Sequence, residues 1–253
     1  DAFAAFLQKY SKPVLGWAHG YCMGGGLGLL QACHLRVAEM STQFSMPEAL
    51  IGFFPDVGAS YFLANLPHRV GLFLALTSAR MTAEWSKSFN LVDAVMVNGQ
   101  KELFLQKLSE VKWTVDFTQN LLQIRRLLEV MQVKEESGIS EEILIEISRL
   151  VAGDSLLEVN KVFREFLLGR EDHPFFREAF TSYLKSCPMS LAFIFELFTK
   201  HKSSNFIQAL ERDLKWARLF CQNHNFVEGV RAQLIDKDKN PQWRDEPVGV
   251  FFN

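Results

Sequence analysis

Glu48 and Asp56 are the two side chains of this chain best suited to proton transfer, and both follow closely on three consecutive glycines, Gly24, Gly25 and Gly26. In Met46-Pro47-Glu48-Ala49-Leu50-Ile51, Pro47 removes one amide and restrains the backbone, so the Glu48 carboxylate can be aimed. Apolar neighbours (Phe44, Met46, Leu50, Ile51) disfavour its charged form and suit it to work as a base or nucleophile. A Glu after Pro also commonly opens a helix, where the dipole holds it. Asp56, between Pro55 and Val57-Gly58, reads either as an acid or as the N-cap of the following helix. The glycines lie between the apolar runs Val14 to Ala18 and Leu27 to Ala32, a pattern of strand, tight turn and helix start. Free N–H groups at such a turn favour an oxygen carrying negative charge, and an oxyanion hole is the catalytic use of that preference. Leu29 stands where the last glycine of a dinucleotide fingerprint would fall, which excludes that reading.

These residues also carry a resemblance. Lys12-Pro13-Val14, Met23-Gly24-Gly25-Gly26, the run Met46 to Gly58 and Phe226-Val227-Glu228-Gly229-Val230-Arg231-Ala232 resemble the crotonase (enoyl-CoA hydratase/isomerase) superfamily. Within it they are most similar to the 3-hydroxyisobutyryl-CoA hydrolase branch. The likeness covers about Lys12 to Leu91 and Ser186 to Trp243. It implies that the Gly25 amide binds the thioester oxygen, that Gly24 and Gly25 together with Glu48 and Asp56 contact substrate, and that Glu48, Asp56 and Gly25 are catalytic. Hydratases of the superfamily carry a first acid/base carboxylate where this chain has Gly28, which cannot transfer a proton. That position favours thioester hydrolysis. The expected function is therefore hydrolysis of a small 3-hydroxyacyl-CoA such as 3-hydroxyisobutyryl-CoA, in valine degradation. An enoyl-CoA hydratase/isomerase and a non-catalytic CoA-binding module are the alternatives. Glu228 and Arg231 read as structural ion-pair partners, and Lys237 and Lys239 as basic groups that, by resemblance, meet CoA phosphates.

The elements needed to position these groups are legible in the periodicity. From Pro13 to about Val97, strand-like runs (Val14 to Ala18, Leu35 to Ala38, Gln43 to Met46, Leu91 to Met96) alternate with helical ones (Ala59 to Leu66, Gly71 to Thr77, and a third capped by Thr82). From about Lys101 the periods are those of amphipathic helices: Leu121 to Val133, Ser140 to Val151 with Ser140 as N-cap, and Ser155 to Leu168. Glu129, Lys134, Glu135 and Glu136 read as solvated faces, and Gly169 to Pro174 as a polar loop. Helical periods resume at Arg177 to Lys185, Met189 to Lys200 and Phe206 to Cys221. The fold class expected is α/β, a crotonase (ClpP-like) β-β-α superhelix, N-terminally truncated, with a mostly helical C-terminal region. Two parts are expected: 1–100, holding the catalytic residues, and 101–253, helices covering the acyl-CoA site. Asp1 to Tyr10 reads as a helix in mid-course. The resemblance places strands, a second oxyanion-hole amide and part of the CoA surface before that point, so the chain is expected to be the C-terminal part of a longer protein.

The 253 residues carry 27 basic and 29 acidic side chains, a balance that gives no footprint for nucleic acid. No apolar run approaches the roughly 18 residues a membrane span needs, so no membrane partner is expected. Cys22, Cys33, Cys187 and Cys221 have no paired spacing, which suits reduced, buried thiols. The expected location is cytoplasmic, or the mitochondrial matrix in a eukaryote. His19 lies near the glycine turn, but the histidines lack metal-ligand spacing, and no G-x-S-x-G elbow occurs. Asp236 to Asn240 begins like a calcium loop and fails where Pro241 replaces the glycine. No metal and no cofactor are expected, coenzyme A being part of the substrate. The partner expected is the acyl-CoA itself, and the resemblance allows a homo-oligomer. The 23 phenylalanines read first as core.

Overall fold

The computed structural model describes residues 2–134, 138–169 and 173–252, without the side chains of 167–169 and 250. In chain order the first elements are α1 (Ala2–Gln8), β1 (Leu15–Ala18), β2 (Tyr21–Met23), α2 (Gly25–Ala32), β3 (Leu35–Glu39) and β4 (Gln43–Ser45). A 3-10 turn at Glu48–Ile51 leads to α3 (Ala59–Phe62), a second such turn at Pro67–Arg69, α4 (Val70–Thr77), β5 (Met81–Thr82), α5 (Ala83–Ser88) and β6 (Ala94–Met96). Helices follow: α6 (Lys101–Ser109), α7 (Phe117–Met131), α8 (Glu141–Leu150), α9 (Leu156–Gly169), α10 (Pro174–Lys185), α11 (Pro188–Lys200), α12 (Phe206–Phe220) and α13 (His224–Val230).

Internal contacts sort these elements into two units, one of Ala2–Phe44 with Met81–Ile139 and the other of Ser45–Arg80 with Ser140–Asn253. The division differs from the expected break at residue 100. Its physical reason lies in apolar faces: Phe104 of α6 and Ile124 and Leu128 of α7 pack onto Leu35, Val37, Ala94 and Met96, so these helices belong with the strands.

In that first unit β1, β3 and β6 form a parallel sheet in the order β1-β3-β6, with Trp17 opposite Val37 and Val37 opposite Ala94. Parallel strands covered by helices bury consecutive residues, which explains their unbroken apolar runs. A second sheet runs β2-β4-β5, with β4 and β5 antiparallel. Strand β2 was not expected; three residues with an exposed Tyr21 give no period to read. Arg36 and Asp93 tie β3 to the loop before β6 through Nε and one amide on Oδ2 (2.9 and 2.7 Å). Burial alone would raise the Asp93 carboxyl, but the hydrogen bonds and charge of Arg36 outweigh it and hold that group below its usual range.

The second unit is helical, and its core is aromatic. Phe54, Phe193 and Phe220 meet at centroid distances of 4.9 to 5.0 Å, with Trp216 edge-on to Phe193 at 5.4 Å. Trp216 donates its Nε1–H to the carbonyl of Phe251 (2.8 Å), so the chain's last turn closes this core. The phenylalanines thus serve packing here. Ser140 Oγ accepts the Ile143 amide at 3.3 Å, and in the first unit Thr82 Oγ1 accepts that of Trp85 at 3.2 Å, as their cap positions predicted.

Helix α3 is shorter than its apolar run. The chain turns at Leu63 because α4 passes close beneath: a Cβ on Gly71 would lie 1.8 Å from the Leu63 carbonyl oxygen. Of the polar loop expected at Gly169 to Pro174, residues 170–172 lie outside the described residues, as do Glu135 and Glu136. All four cysteines are free, but only Cys187 is buried; Cys22 and Cys33 are half-buried and Cys221 is exposed. Among the described residues no helix is long and apolar enough to cross a membrane.

Phe220→Ala is expected to destabilise the protein by about 3–5 kcal/mol, because the rings around it cannot collapse into the space it leaves. Urea unfolding checks this, and a loss below about 1 kcal/mol would mean that these rings do not share a core.

Candidate active site

Glu48 opens the 3-10 turn, and the turn closes at Gly52, whose φ of 69° and ψ of 29° are left-handed. Glycine is required there twice over, since a Cβ would also lie 2.3 Å from the Asn225 carbonyl oxygen. From the other side, a Cβ on Gly229 of α13 would lie 2.3 Å from the carbonyl carbon of Ile51. Helix α13 therefore meets the turn backbone to backbone. The Cys187 amide, at the start of α11, donates to the Ala49 carbonyl (2.9 Å), and the Phe53 amide donates to that of Glu48 (3.0 Å).

Held in this way, Glu48 is only 6 % exposed. Its Oε2 is buried and has no hydrogen-bond partner among the described residues. Burial pushes the carboxyl up to about 8, against its own backbone hydrogen bond, and the charge of Asp56 pushes the same way. An unpaired buried carboxyl oxygen costs stability, and such groups are kept where a ligand uses them.

Asp56 stands half-buried in a turn where Val57 and Gly58 have φ of 49° and 91°. It is not the N-cap of α3. That position falls to Gly58, with no side-chain cap, and the Ala59 amide goes to the main-chain carbonyl of Asp56 (3.0 Å). Burial raises the Asp56 carboxyl to about 6, partly opposed by its backbone hydrogen bond. Released from capping, the group is available for acid chemistry.

A third carboxyl, that of Asp213 on α12, was missed by the sequence reading. It is fully buried, accepts the Gly58 amide on Oδ2 (2.7 Å) and the Ser60 hydroxyl on Oδ1 (3.4 Å), and is raised to about 7, mainly by burial. A signal was present: Asp213 occupies the apolar stripe Ala209, Leu210, Trp216, Phe220 of an otherwise amphipathic helix. These carboxyls do not make a metal cage, since no group of three or more His, Cys, Asp or Glu among the described residues is placed to hold an ion.

Glu48 and Asp56 thus fall in one unit, and Gly24 and Gly25 in the other. There Gly24, at φ 52° and ψ −124°, turns the chain from β2 into α2. Gly24 is buried while Gly25 and Gly26 are exposed, and a Cβ on Gly25 would meet nothing within 4 Å. The Gly28 amide donates to the Gly24 carbonyl (3.1 Å), while those of Gly25 to Leu27 precede the first intrahelical acceptor. The Gly25 amide therefore stands at the positive end of α2 with no acceptor inside the helix. Gly28 is buried in the helix, and His19 is exposed.

Glu228 and Arg231 are structural partners, as expected: Arg231 donates Nε to Glu228 Oε2 (2.9 Å) and a terminal nitrogen to Oε1 (2.8 Å). Arg231 also pairs with Asp236 and Asp238 at 2.6 Å each, and Glu228 accepts the Gln242 amide (2.8 Å). The aspartates that began like a calcium loop are thus engaged by an arginine. Lys237 and Lys239 are exposed.

The description "enoyl-CoA hydratase/isomerase" belongs to the family model that matches residues 2–249, and the chain belongs to that family. Among curated relatives, the mitochondrial 3-hydroxyisobutyryl-CoA hydrolase of Dictyostelium discoideum is 32% identical over 228 residues, 89% of this chain and 58% of that protein. The protein of the same name from Danio rerio is 29% identical over 243 residues, 94% of this chain and 61% of its own length. The chain spans about three fifths of the length of these relatives. Among solved structures, a carnitinyl-CoA dehydratase from Mycobacterium thermoresistibile superposes with a TM-score of 0.79 at 25% identity, over 97% of this chain and 66% of that one. An enoyl-CoA hydratase from Rhodobacter sphaeroides 2.4.1 gives 0.76 at 28%, over 98% and 68%. The fold is the α/β crotonase fold with a largely helical C-terminal region, as the resemblance implied.

The buried Glu48 makes stability pH-dependent in a stated direction. Its native carboxyl, near 8, binds a proton more tightly than in the unfolded chain, so its contribution falls as pH rises from about 4 to about 8. Glu48→Gln is therefore expected to stabilise the protein at pH 9 by on the order of 2–4 kcal/mol more than at pH 5. Urea unfolding of both proteins at the two pH values checks this, and equal differences would mean that Glu48 ionises as if in water.

Proposed function

We propose that this chain carries the catalytic carboxylates of an acyl-CoA thioester hydrolase acting on a small 3-hydroxyacyl-CoA, with 3-hydroxyisobutyryl-CoA as first choice. The observation that carries the reading is Glu48, a buried carboxyl with one oxygen unpaired and a raised pKa, held on a turn that several backbone contacts fix. The hydrolase names of the curated relatives support the reaction class. Their mitochondrial designation supports the mitochondrion as location; a place in valine breakdown belongs to the same reading, through the substrate named first.

In this reading the Gly25 amide takes the thioester oxygen as it gains charge. Glu48 either adds to the thioester carbon, giving an anhydride that water then opens, or removes a proton from the water that attacks. In both routes the C–S bond breaks, water supplies the hydroxyl of the new acid, and Asp56 gives its proton to the leaving sulfur. Coenzyme A enters as part of the substrate, and no other cofactor is required.

The charge of Asp56 raises the proton affinity of Glu48, and between about pH 6 and 8 the pair holds one proton, which rests on Glu48 and must pass to Asp56 before Glu48 acts as base and Asp56 as acid. A hydratase is the second reading, favoured by the names of the two solved structures. Gly28 opposes it, because it offers no second carboxylate on α2.

Free-thiol release from 3-hydroxyisobutyryl-CoA by the full-length protein is expected, with a bell-shaped pH dependence and a loss of about 10²–10⁴ in rate for Glu48→Gln. Hydration of crotonyl-CoA without thiol release would overturn the hydrolase reading in favour of the second. Coenzyme A binding without either turnover would make the protein a binding module.

A further inference from the structure

Asp213 comes from a part of the chain remote from Asp56, yet it reaches the turn on which Asp56 stands. Its Oδ2 accepts the Gly58 amide at 2.7 Å and its Oδ1 the Ser60 hydroxyl at 3.4 Å. Ser60 Oγ lies 3.2 Å from Ser203 Oγ, and the Ser203 amide donates to the Ser60 carbonyl (3.1 Å). Asp213, Ser60 and Ser203 are all buried. Phe206, one turn and more earlier on α12, closes over Gly58, where a Cβ would lie 2.3 Å from the ring. The left-handed Gly58 is thus clamped by an aromatic edge and a carboxylate, both from α12.

The charges around Asp213 are few. Arg212, its neighbour on α12, points to the His201 carbonyl and the face of Trp216 and makes no ion pair with Asp213 among the described residues, but its charge partly offsets the effect of burial on that carboxyl. Across from α12, the turn before α3 brings the charge of Asp56, which raises Asp213, and Asp56 in turn raises Glu48. On α11, Glu196 and Lys200 pair with each other at the surface. A carboxylate used only to cap a glycine amide would be expected where water or a cation offsets its burial. This one is buried with a second carboxyl for company.

The geometry points to Asp213 as a positioning residue of the site: through the Gly58 amide it fixes the Asp56-Val57-Gly58 turn and so holds the Asp56 carboxyl in its partly buried place. The inference rests on Asp56 belonging to the site of the proposed hydrolase. Its central test needs no substrate.

That test is a carboxyl titration of the full-length protein labelled with ¹³C-aspartate, assigned with Asp56→Asn and Asp213→Asn. In the unaltered protein Asp56 is expected to titrate near 6, above the ordinary aspartate value. Asp213→Asn, which keeps an oxygen for the Gly58 amide, is expected to leave that midpoint in place, whereas Asp213→Ala, which keeps none, is expected to open the turn to water and lower it by about one unit. The acid limb of the thiol-release profile is expected to move down with it in Asp213→Ala, while KM changes less than twofold. An Asp56 midpoint at the ordinary aspartate value in the unaltered protein overturns the inference even if a variant fails to fold, and so does a midpoint unmoved in Asp213→Ala. If the unaltered protein releases no thiol while the Asp56 midpoint falls in Asp213→Ala, the hydrolase reading falls and the link between Asp213 and the Asp56 turn stands.

Discussion

The close backbone approach of α13 to the Glu48–Ile51 turn is the constraint on which the site depends. Gly52 and Gly229 remove the side chains that would keep the two apart, so the turn is pressed against a helix rather than left to solvent. Close approach excludes water, and exclusion of water keeps the Glu48 carboxyl protonated well above its ordinary range. Asn225 extends the clamp on α13: fully buried, it exchanges hydrogen bonds with the Arg244 main chain at 2.8 and 3.0 Å, tying the C-terminal strap to the helix. Glu228 holds the same strap through the Gln242 amide. The family signature around Phe226 to Ala232 thus acts on Glu48 from a distance, through packing rather than chemistry.

Within this unit the polar groups are arranged with an economy of partners. Arg231 is saturated by three carboxylates at the surface, where ion pairing costs little and gains little. Glu48, Asp56 and Asp213, by contrast, have no ion-pair partner among the described residues, and burial, the largest influence on each, holds all three above the usual carboxylate range. The hydrogen bonds that Asp213 does accept are from neutral groups, which orient it without discharging it.

The other unit supplies a different resource. Its parallel sheet ends β1 near the glycine turn, and α2 begins with amides that no side chain of the turn can cover, because Gly24 to Gly26 have none. Arg36 and Asp93 brace β3, beside which β1 runs. What the unit offers is thus a backbone donor on a rigid support.

Much of this was legible in the residues alone. Three glycines after an apolar run require a turn with bare amides, whatever the fold, because only glycine takes Gly24's backbone angles without penalty. Pro47 before Glu48, with apolar neighbours on both sides, marks a carboxyl that will be aimed and desolvated, and Gly28 leaves its place on α2 without an ionisable side chain. Helix periods and caps such as Ser140 and Thr82 were readable because they depend on residues a few positions apart. What the sequence could not decide was which remote segments meet. The grouping of Ser45–Arg80 with the C-terminal helices, the early end of α3 against Gly71, and the reach of Asp213 to Gly58 are long-range events with no local period. Asp56 shows the difference most plainly: its neighbours allow a helix cap or an acid, and only tertiary packing, by placing Gly58 at the cap position and half-burying the carboxyl, removed the first.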